Sequence, residues 1–236
     1  KISESGVEYE VGNVQTFKSE KEFFAHFDLP FIPPSIRKDG TEIERADEIA
    51  NIVMPDQIRS DLHMHTTWSD GGYSIEEIVE ACRAKGYSHM VITDHSHYLK
   101  VANGLTPERL LKQIEEIREV SAKYDDIEVF CGTEMDILPD ATLDFENELL
   151  KELDFVIAAI HSSFSQSEEQ IMARIKAAME NPYVYMIAHP TGRIIGKRDG
   201  YHPDVSQLIQ WAAEYDKIVE LNANPYRLDL KTEHLI

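Results

Sequence analysis

The sequence predicts an α/β protein built from parallel βα units, closed as a barrel or laid out as an open doubly wound sheet. Three observations lead there. From Ile58 onward, short apolar and often β-branched runs alternate with longer segments of helical period. The 236 residues suit one core of barrel size. The composition, 42% hydrophobic and 28% charged, is that of a globular chain rather than a disordered, collagenous or disulfide-stapled one.

Residues 1–57 read differently from the rest. They carry FIPPSI, the charged stretch RKDGTEIERADE and one amphipathic helix candidate over 19–27. Ser19 with Glu22 makes a capping box, and Phe23, Phe24 and Phe27 supply the apolar face. We expect an N-terminal extension or linker, and, because the first residue is Lys1, a fragment of a longer polypeptide. Residues 58–236 are the regular part. Strands are expected at IRSDLHMH, SHMVITDH, IEVFCGTEMDI, DFVIAAIH, YVYMIAH and KIVELNAN. The helices between them have recognisable starts: Ser74 with Glu77, Thr106 with Pro107 at the first helical position, Ser167 before EEQIMARIKAAMEN, and PDVSQLIQWAAEY after the fifth strand.

Several classes are disfavoured. No apolar run approaches the about 20 residues of a membrane helix, and KISESGVEYE lacks a signal-peptide pattern, so a cytoplasmic protein is expected. The net charge of −20 opposes nonspecific attraction to nucleic acid or an anionic membrane for the chain as a whole, while leaving room for a local basic patch. Cys82 and Cys131 lie among apolar neighbours and read as reduced, buried thiols. Neither GxGxxG nor GxxxxGK[ST] occurs, which removes support for a nucleotide-binding open sheet.

The chemistry is concentrated at strand ends. His63 and His65 end the first strand, His95 the second, Glu134 the third, His161 the fourth and His189 the fifth. In a parallel barrel all these ends open on one face, where active sites of that architecture lie. His63 and His65, two residues apart on a strand, share a side. Six ionisable groups buried together without partners would cost several kcal/mol, so a compensating divalent metal is expected. Imidazole and carboxylate without thiolate suit Zn, Mn or Fe. Glu134 has two oxygens with which to bridge two ions, and metal pairs are typical of phosphoester hydrolysis. Asp70, in TTWSDGG, is a further candidate, or a plain turn residue. His97 could face the site from its loop; His26, His89, His202 and His234 read as structural or surface groups.

The ordered motifs SDLHMHTTWSDG, VITDHS, GTEMDI, AIHSSF and IAHPTGR resemble those of the PHP (polymerase and histidinol phosphatase) superfamily over roughly residues 58–230. Within it, TDHSHYLKVANGLTPERL, HPTGRIIGKRDG and FDLPFIPPSIRKD are similar to the C-terminal PHP domain of bacterial and archaeal family X DNA polymerases. The resemblance implies a distorted seven-stranded (β/α) barrel holding up to three Mn or Zn ions. One ion would take His63, His65 and Glu134; a second Glu134, His161 and His189; a third Asp70 and His95. A final Asp-x-His motif, which completes the first and third sites in the family, is not found, since Glu233 precedes His234. The last strand is therefore expected to be missing, fewer than three ions to bind, and the open edges to invite self-association.

The implied function is a metal-dependent phosphoesterase acting on DNA, a 3′–5′ exonuclease or 3′-end and abasic-site processing enzyme attached to polymerase domains on its N-terminal side. Glu134, His161 and His189 are its expected catalytic residues. Arg193, Lys197 and Arg198, the densest basic cluster of the chain, and Arg227 are candidate phosphate contacts, the alternative being a solvated basic loop. Two rival expectations are a small-molecule phosphomonoesterase of the histidinol-phosphatase type, which the negative charge favours, and a catalytically incompetent module that braces a polymerase.

Overall fold

The computed structural model describes residues 1–3, 6–10, 12–46 and 53–234. The chain divides into two compact units, Lys1–Ile58 and Arg59–Ile236.

The first unit contains a small antiparallel sheet that the sequence reading did not anticipate. Strands β1 (Ile2–Ser3), β2 (Gly6–Glu10) and β3 (Asn13–Gln15) pair in that order. Their alternation is too weak to read, since Val7 is buried while Tyr9 and Val14 lie exposed among polar residues. Helix α1 (Glu20–His26) follows, and Ser19 caps it by accepting the N–H of Glu22. The reciprocal half of the expected capping box is absent, because the Glu22 carboxylate accepts the N–H of Lys18 instead. Phe23 and Phe24 are half-buried among aromatic neighbours, with ring centroids 5.4 Å from Phe17 and 5.7 Å from Phe31 respectively.

The second unit is a curled, wholly parallel half-barrel. Its strands are β4 (Ser60–Asp61), β5 (His89–Ile92), β6 (Glu128–Asp136), β7 (Phe155–Ala159), β8 (Val184–Ile187) and β9 (Ile218–Val219). Each pairs with the next in sequence order. That order is a barrel's; a doubly wound sheet reverses direction at a switch point. Among the described residues β4 pairs only with β5 and β9 only with β8, so the curl is open at both ends.

Helices α2 (Ile75–Ala84), α3 (Pro107–Ser121), α4 (Asn147–Leu150), α5 (Glu168–Glu180) and α6 (Val205–Glu214) occupy the connections. Ser74, Thr106, Ser167 and Asp204 each cap their helix by accepting the N–H three residues on. The core joins the inner helix faces, such as Val79, Ile114, Ile117 and Ile175, to the strand residues Met90, Ile92, Val156 and Val184. Cys82 and Cys131 are buried and free. No described helix is long and apolar enough to cross a membrane.

Regular pairing stops earlier than the apolar runs suggest. β4 ends at Asp61 and β9 at Val219, so most candidate ligands sit just beyond the strands. Glu134 is the exception, inside the nine-residue β6. This placement frees the ligand-bearing backbone from the ladder while the strands fix where each segment emerges. In the first of these segments Gly71 is required, because a Cβ there would lie 2.1 Å from the His65 carbonyl oxygen.

Candidate metal centre

Glu134 is the hub of the site. It is 1% exposed, and its two oxygens divide five imidazoles between them. Oε2 lies 3.3 Å from His63 Nε2, 3.4 Å from His65 Nε2 and 2.8 Å from His95 Nδ1. Oε1 lies 3.2 Å from His161 Nε2 and 2.8 Å from His189 Nε2. Asp70 joins the cage through His95, with Oδ1 3.7 Å from His95 Nε2. All seven metal candidates of the sequence are thereby brought together.

Their grouping differs in part from the one the resemblance implies. Three sets place their ligand atoms within 4.8 Å of one another: His63, His65 and Glu134; His65, Asp70 and His95; His95, Glu134 and His161. The first is the expected set. The second adds His65 to the expected Asp70 and His95, and the third has His95 where His189 was expected. His189 instead spends Nε2 on a hydrogen bond with Glu134, and its backbone adopts φ +26°, a sparsely populated region for a non-glycine residue. His97 is exposed and belongs to none of the sets, and neither does His234.

Three buried carboxylates that the sequence reading passed over hold this cage. Glu220, just past β9, has Oε1 2.6 Å from His63 Nδ1, and its Oε2 accepts the backbone N–H of His189. Asp136, at the end of β6, has Oδ1 3.2 Å from His161 Nδ1. In both cases one ring nitrogen is fixed by a carboxylate and the other faces Glu134, the arrangement by which outer carboxylates orient metal-binding imidazoles. Asp94 accepts from Thr66 N–H and hydroxyl, each at 2.8 Å, from Ser69 N–H at 3.1 Å, and from Gln113. It thus secures the segment between His65 and Asp70. The available signal was the acid at a strand end, which Glu220 shares with Glu134.

The cage attracts positive charge. Burial works against a charge on His63, but Glu134 and Glu220 overcome it and raise its pKa from 6.5 to about 10. Burial likewise opposes the charge on His161, and Glu134 with Asp136 lifts it to about 9. For His65 and His189 burial prevails and brings both down to about 4. The Glu134 carboxyl loses solvation, yet His63 and His161 keep it well below the ordinary carboxylate range.

The residues fit divalent ions by an independent criterion. His65 Nδ1 and His189 Nδ1 are buried without a hydrogen-bond partner, and His95 Nδ1 and His161 Nε2 lie beside Glu134 oxygens without forming a hydrogen bond to them. A neutral imidazole offers a lone pair at one nitrogen, and a buried one left unused is costly unless an acceptor of electrons meets it. Nitrogen and carboxylate donors without thiolate suit hard to borderline divalent ions.

The basic rim is built differently. Arg193 donates through Nε to the Arg227 carbonyl oxygen at 2.7 Å and through Nη2 to that of Leu228. Arg198 donates to the Gly192 carbonyl at 2.9 Å and lies over the Phe164 ring, 4.0 Å from its centroid. Lys197 is exposed and Arg227 half-buried.

A parallel half-barrel whose strand ends converge on an imidazole and carboxylate cage defines a class, the metal-binding hydrolases of barrel type. Residues 61–224 match the PHP domain, and the chain belongs to that family. It is 55% identical over 237 residues to "DNA polymerase/3'-5' exonuclease PolX" of Bacillus subtilis, a match covering 100% of this chain and 42% of that protein. It is 32% identical over 172 residues to a "Probable phosphatase" of Caldanaerobacter subterraneus, covering 70% of this chain and 63% of the relative. The chain thus spans less than half of the first relative and under two thirds of the second. Among solved structures, histidinol phosphate phosphatase from Lactococcus lactis, complexed with zinc, L-histidinol and phosphate, superposes with a TM-score of 0.50. That likeness covers 68% of this chain and 72% of the other at 18% identity, and bears on the fold alone.

Proposed function

We propose that this chain is the PHP phosphoesterase module of a family X DNA polymerase, a divalent-metal-dependent hydrolase that processes DNA ends by 3′–5′ exonucleolytic, 3′-end or abasic-site cleavage. The observation that carries this reading is the five-imidazole cage around Glu134, in a chain 55% identical along its whole length to a polymerase-exonuclease. The match to 42% of that relative supports polymerase domains on the N-terminal side in the same polypeptide, with residues 1–57 as the tail of that part and residues 58–236 as the phosphoesterase. The setting we propose is cytoplasmic DNA repair.

His63, His65, Asp70, His95, Glu134, His161 and His189 would hold the ions, zinc or manganese by donor type. When bound, such ions supply Lewis-acid polarisation of a phosphoryl oxygen and a lowered pKa for the attacking water. The chain's own residues do the rest. Glu134 sets the spacing of the imidazoles, with His161 and His189 its partners on one oxygen. Glu220 and Asp136 fix which ring nitrogen faces inward. Arg193, Lys197, Arg198 and Arg227 are the proposed source of local attraction for phosphate in a chain of net charge −20. The open edges of β4 and β9 support self-association.

A second reading, a small-molecule phosphomonoesterase, is favoured by that negative charge and by the phosphatase relative. The test is to compare the metal-loaded protein on a 3′-labelled oligonucleotide, an abasic duplex, p-nitrophenyl phosphate and histidinol phosphate. Shortening of the labelled strand or cleavage at the abasic site, lost with EDTA, is the expected result. Turnover of the monoesters alone would overturn the DNA assignment.

A further inference from the structure

The buried atoms without a hydrogen-bond partner near the cage include acceptors, Asp136 Oδ2 among them, and nitrogens of cationic guanidinium groups. The ring nitrogens described above bring lone pairs and suit a cation. Arg227 Nη1 is buried and unpartnered as well, but a guanidinium nitrogen is a donor only and carries positive charge. A metal ion cannot satisfy it; an anion can. Among the described residues no carboxylate pairs with Arg227. Arg174 also has a buried Nε without a partner, yet its other two nitrogens donate to the Ser162 carbonyl, Gln166 Oε1 and the Ile137 carbonyl, so its charge is solvated by the fold.

The chain goes to some length to place Arg227. Its carbonyl is gripped by Arg193, four residues beyond His189. Two residues further on, Asp229 accepts from Thr191 N–H and hydroxyl, the latter at 2.9 Å. On the preceding side, Asn222 donates at 3.2 Å to the Glu220 carboxylate that backs His63. Arg227 N–H donates to the Asn224 carbonyl at 2.7 Å, closing the turn that presents it. The segment is therefore latched at several points to residues adjoining the cage.

We infer that Arg227 is the anion-binding residue of this site, holding a phosphoryl oxygen of the substrate beside the metal cage, and that Arg193 is its positioning residue. The assignment rests on the phosphoesterase reading for the identity of the anion. It reorders four cations among which the sequence favours the cluster Arg193, Lys197 and Arg198 over Arg227. Arg193 has two of its nitrogens on backbone carbonyls and Arg198 donates through Nε to Gly192 over the Phe164 ring, whereas Arg227 has a buried guanidinium nitrogen without a partner. A planar fork suits a phosphoryl group better than a point charge, because two donors can meet two oxygens.

The test uses the full chain loaded with manganese or zinc and inorganic phosphate as the probe, by calorimetry and by inhibition of whichever ester proves to be hydrolysed. Arg227→Gln should weaken phosphate binding at least about tenfold, the low end for loss of a charged hydrogen bond, with metal content unchanged. Arg227→Lys should fall between, keeping charge without the fork. Arg193→Gln should also weaken phosphate, and the double variant should be no weaker than Arg227→Gln alone, because the two act through one contact. Unchanged phosphate affinity in Arg227→Gln at full metal content would overturn the assignment, and additive losses would overturn the positioning role of Arg193. If Arg227→Gln fails to fold or to load metal, Arg227→Lys decides, and phosphate affinity equal to wild type would overturn the proposal. Loss of phosphate binding in these variants without DNA cleavage by the wild type would refute the DNA reading and leave Arg227 in place. DNA cleavage with phosphate binding indifferent to Arg227 would do the reverse.

Discussion

The cage and the rim of this site are held by opposite means. Most cage ligands stand at or just past a parallel strand, and side-chain carboxylates lock two of the rings: Glu220 on His63 and Asp136 on His161. The rim, residues 191–198 with 222–230, has little regular structure, and its arginines are fixed through main-chain carbonyls, Arg193 on Arg227 and Leu228 and Arg198 on Gly192, while Asp229 holds Thr191. A carboxylate can tune the basicity of the ring it holds, which a metal site needs. A carbonyl latch leaves the charges beside it uncompensated, which suits an anion. The comparison teaches that metal binding and substrate binding are separable here, and substitutions should split them.

The largest split should come from Glu134→Ala. It removes the carboxylate shared by five imidazoles and should cost more turnover than any single histidine change. We expect a loss beyond the roughly 10–100-fold that follows removal of an outer carboxylate, together with metal content, measured by inductively coupled plasma analysis after dialysis. Wild-type turnover with metal retained would end the assignment of Glu134 as hub.

Next in size are Glu220→Gln and Asp136→Asn, which keep shape and remove charge. Each should lower metal affinity by about 10–100-fold, read from competition with a chelating dye. If these variants changed phosphate affinity and left metal affinity alone, the two means of support would be assigned to the wrong functions.

These carboxylates also mark where the sequence stops being legible. The strand-end histidines and Glu134 could be picked out because one residue type recurs at the same place in successive βα units. The function of Glu220 depends on a contact across 157 residues, and that of Asp94 on three short polar groups and Gln113, none of which has a local signature. The alternation of strands and helices was readable from apolar runs and caps. The antiparallel sheet formed by β1, β2 and β3 was not, because among its described apolar residues only Val7 is buried. Nor could spacing divide Arg193, Arg198 and Arg227 by role, since that division rests on which carbonyls lie nearby.

A smaller contrast is expected in the pH dependence of stability once metal is stripped with EDTA. His63 and His161 have folded pKa values raised to about 10 and about 9 from 6.5, so the stability they contribute is fully present below pH 6.5 and lost as pH rises through those values. His65 and His189, lowered to about 4, contribute stability present above pH 6.5 and lost as pH falls toward 4. Urea unfolding of the stripped protein should therefore show a maximum near neutrality. Bound metal takes the place of the protons, so the alkaline limb should flatten while the acid limb steepens. A stripped protein equally stable at every pH between 6.5 and 10 would show that the carboxylates do not govern the rings they touch.

The smallest effect should be that of Lys197→Ala. Lys197 is exposed on the rim, next to Arg198, with its charge in water. Such a cation acts on a polyanion mainly by releasing a counterion, so its removal should weaken single-strand binding equally for all sequences and reduce the slope of log affinity against log salt by about 0.7. Metal content and the hydrolysis of p-nitrophenyl phosphate should not change, because a small ester brings no second phosphate for Lys197 to meet. Measured over a salt series beside Arg227→Gln, the pair sharpens the division within the rim itself. Loss of Lys197 should change the salt slope while inorganic phosphate binding is kept, whereas loss of Arg227 should weaken both. A salt slope identical to wild type would remove Lys197 from the substrate path and leave it a solvated loop residue.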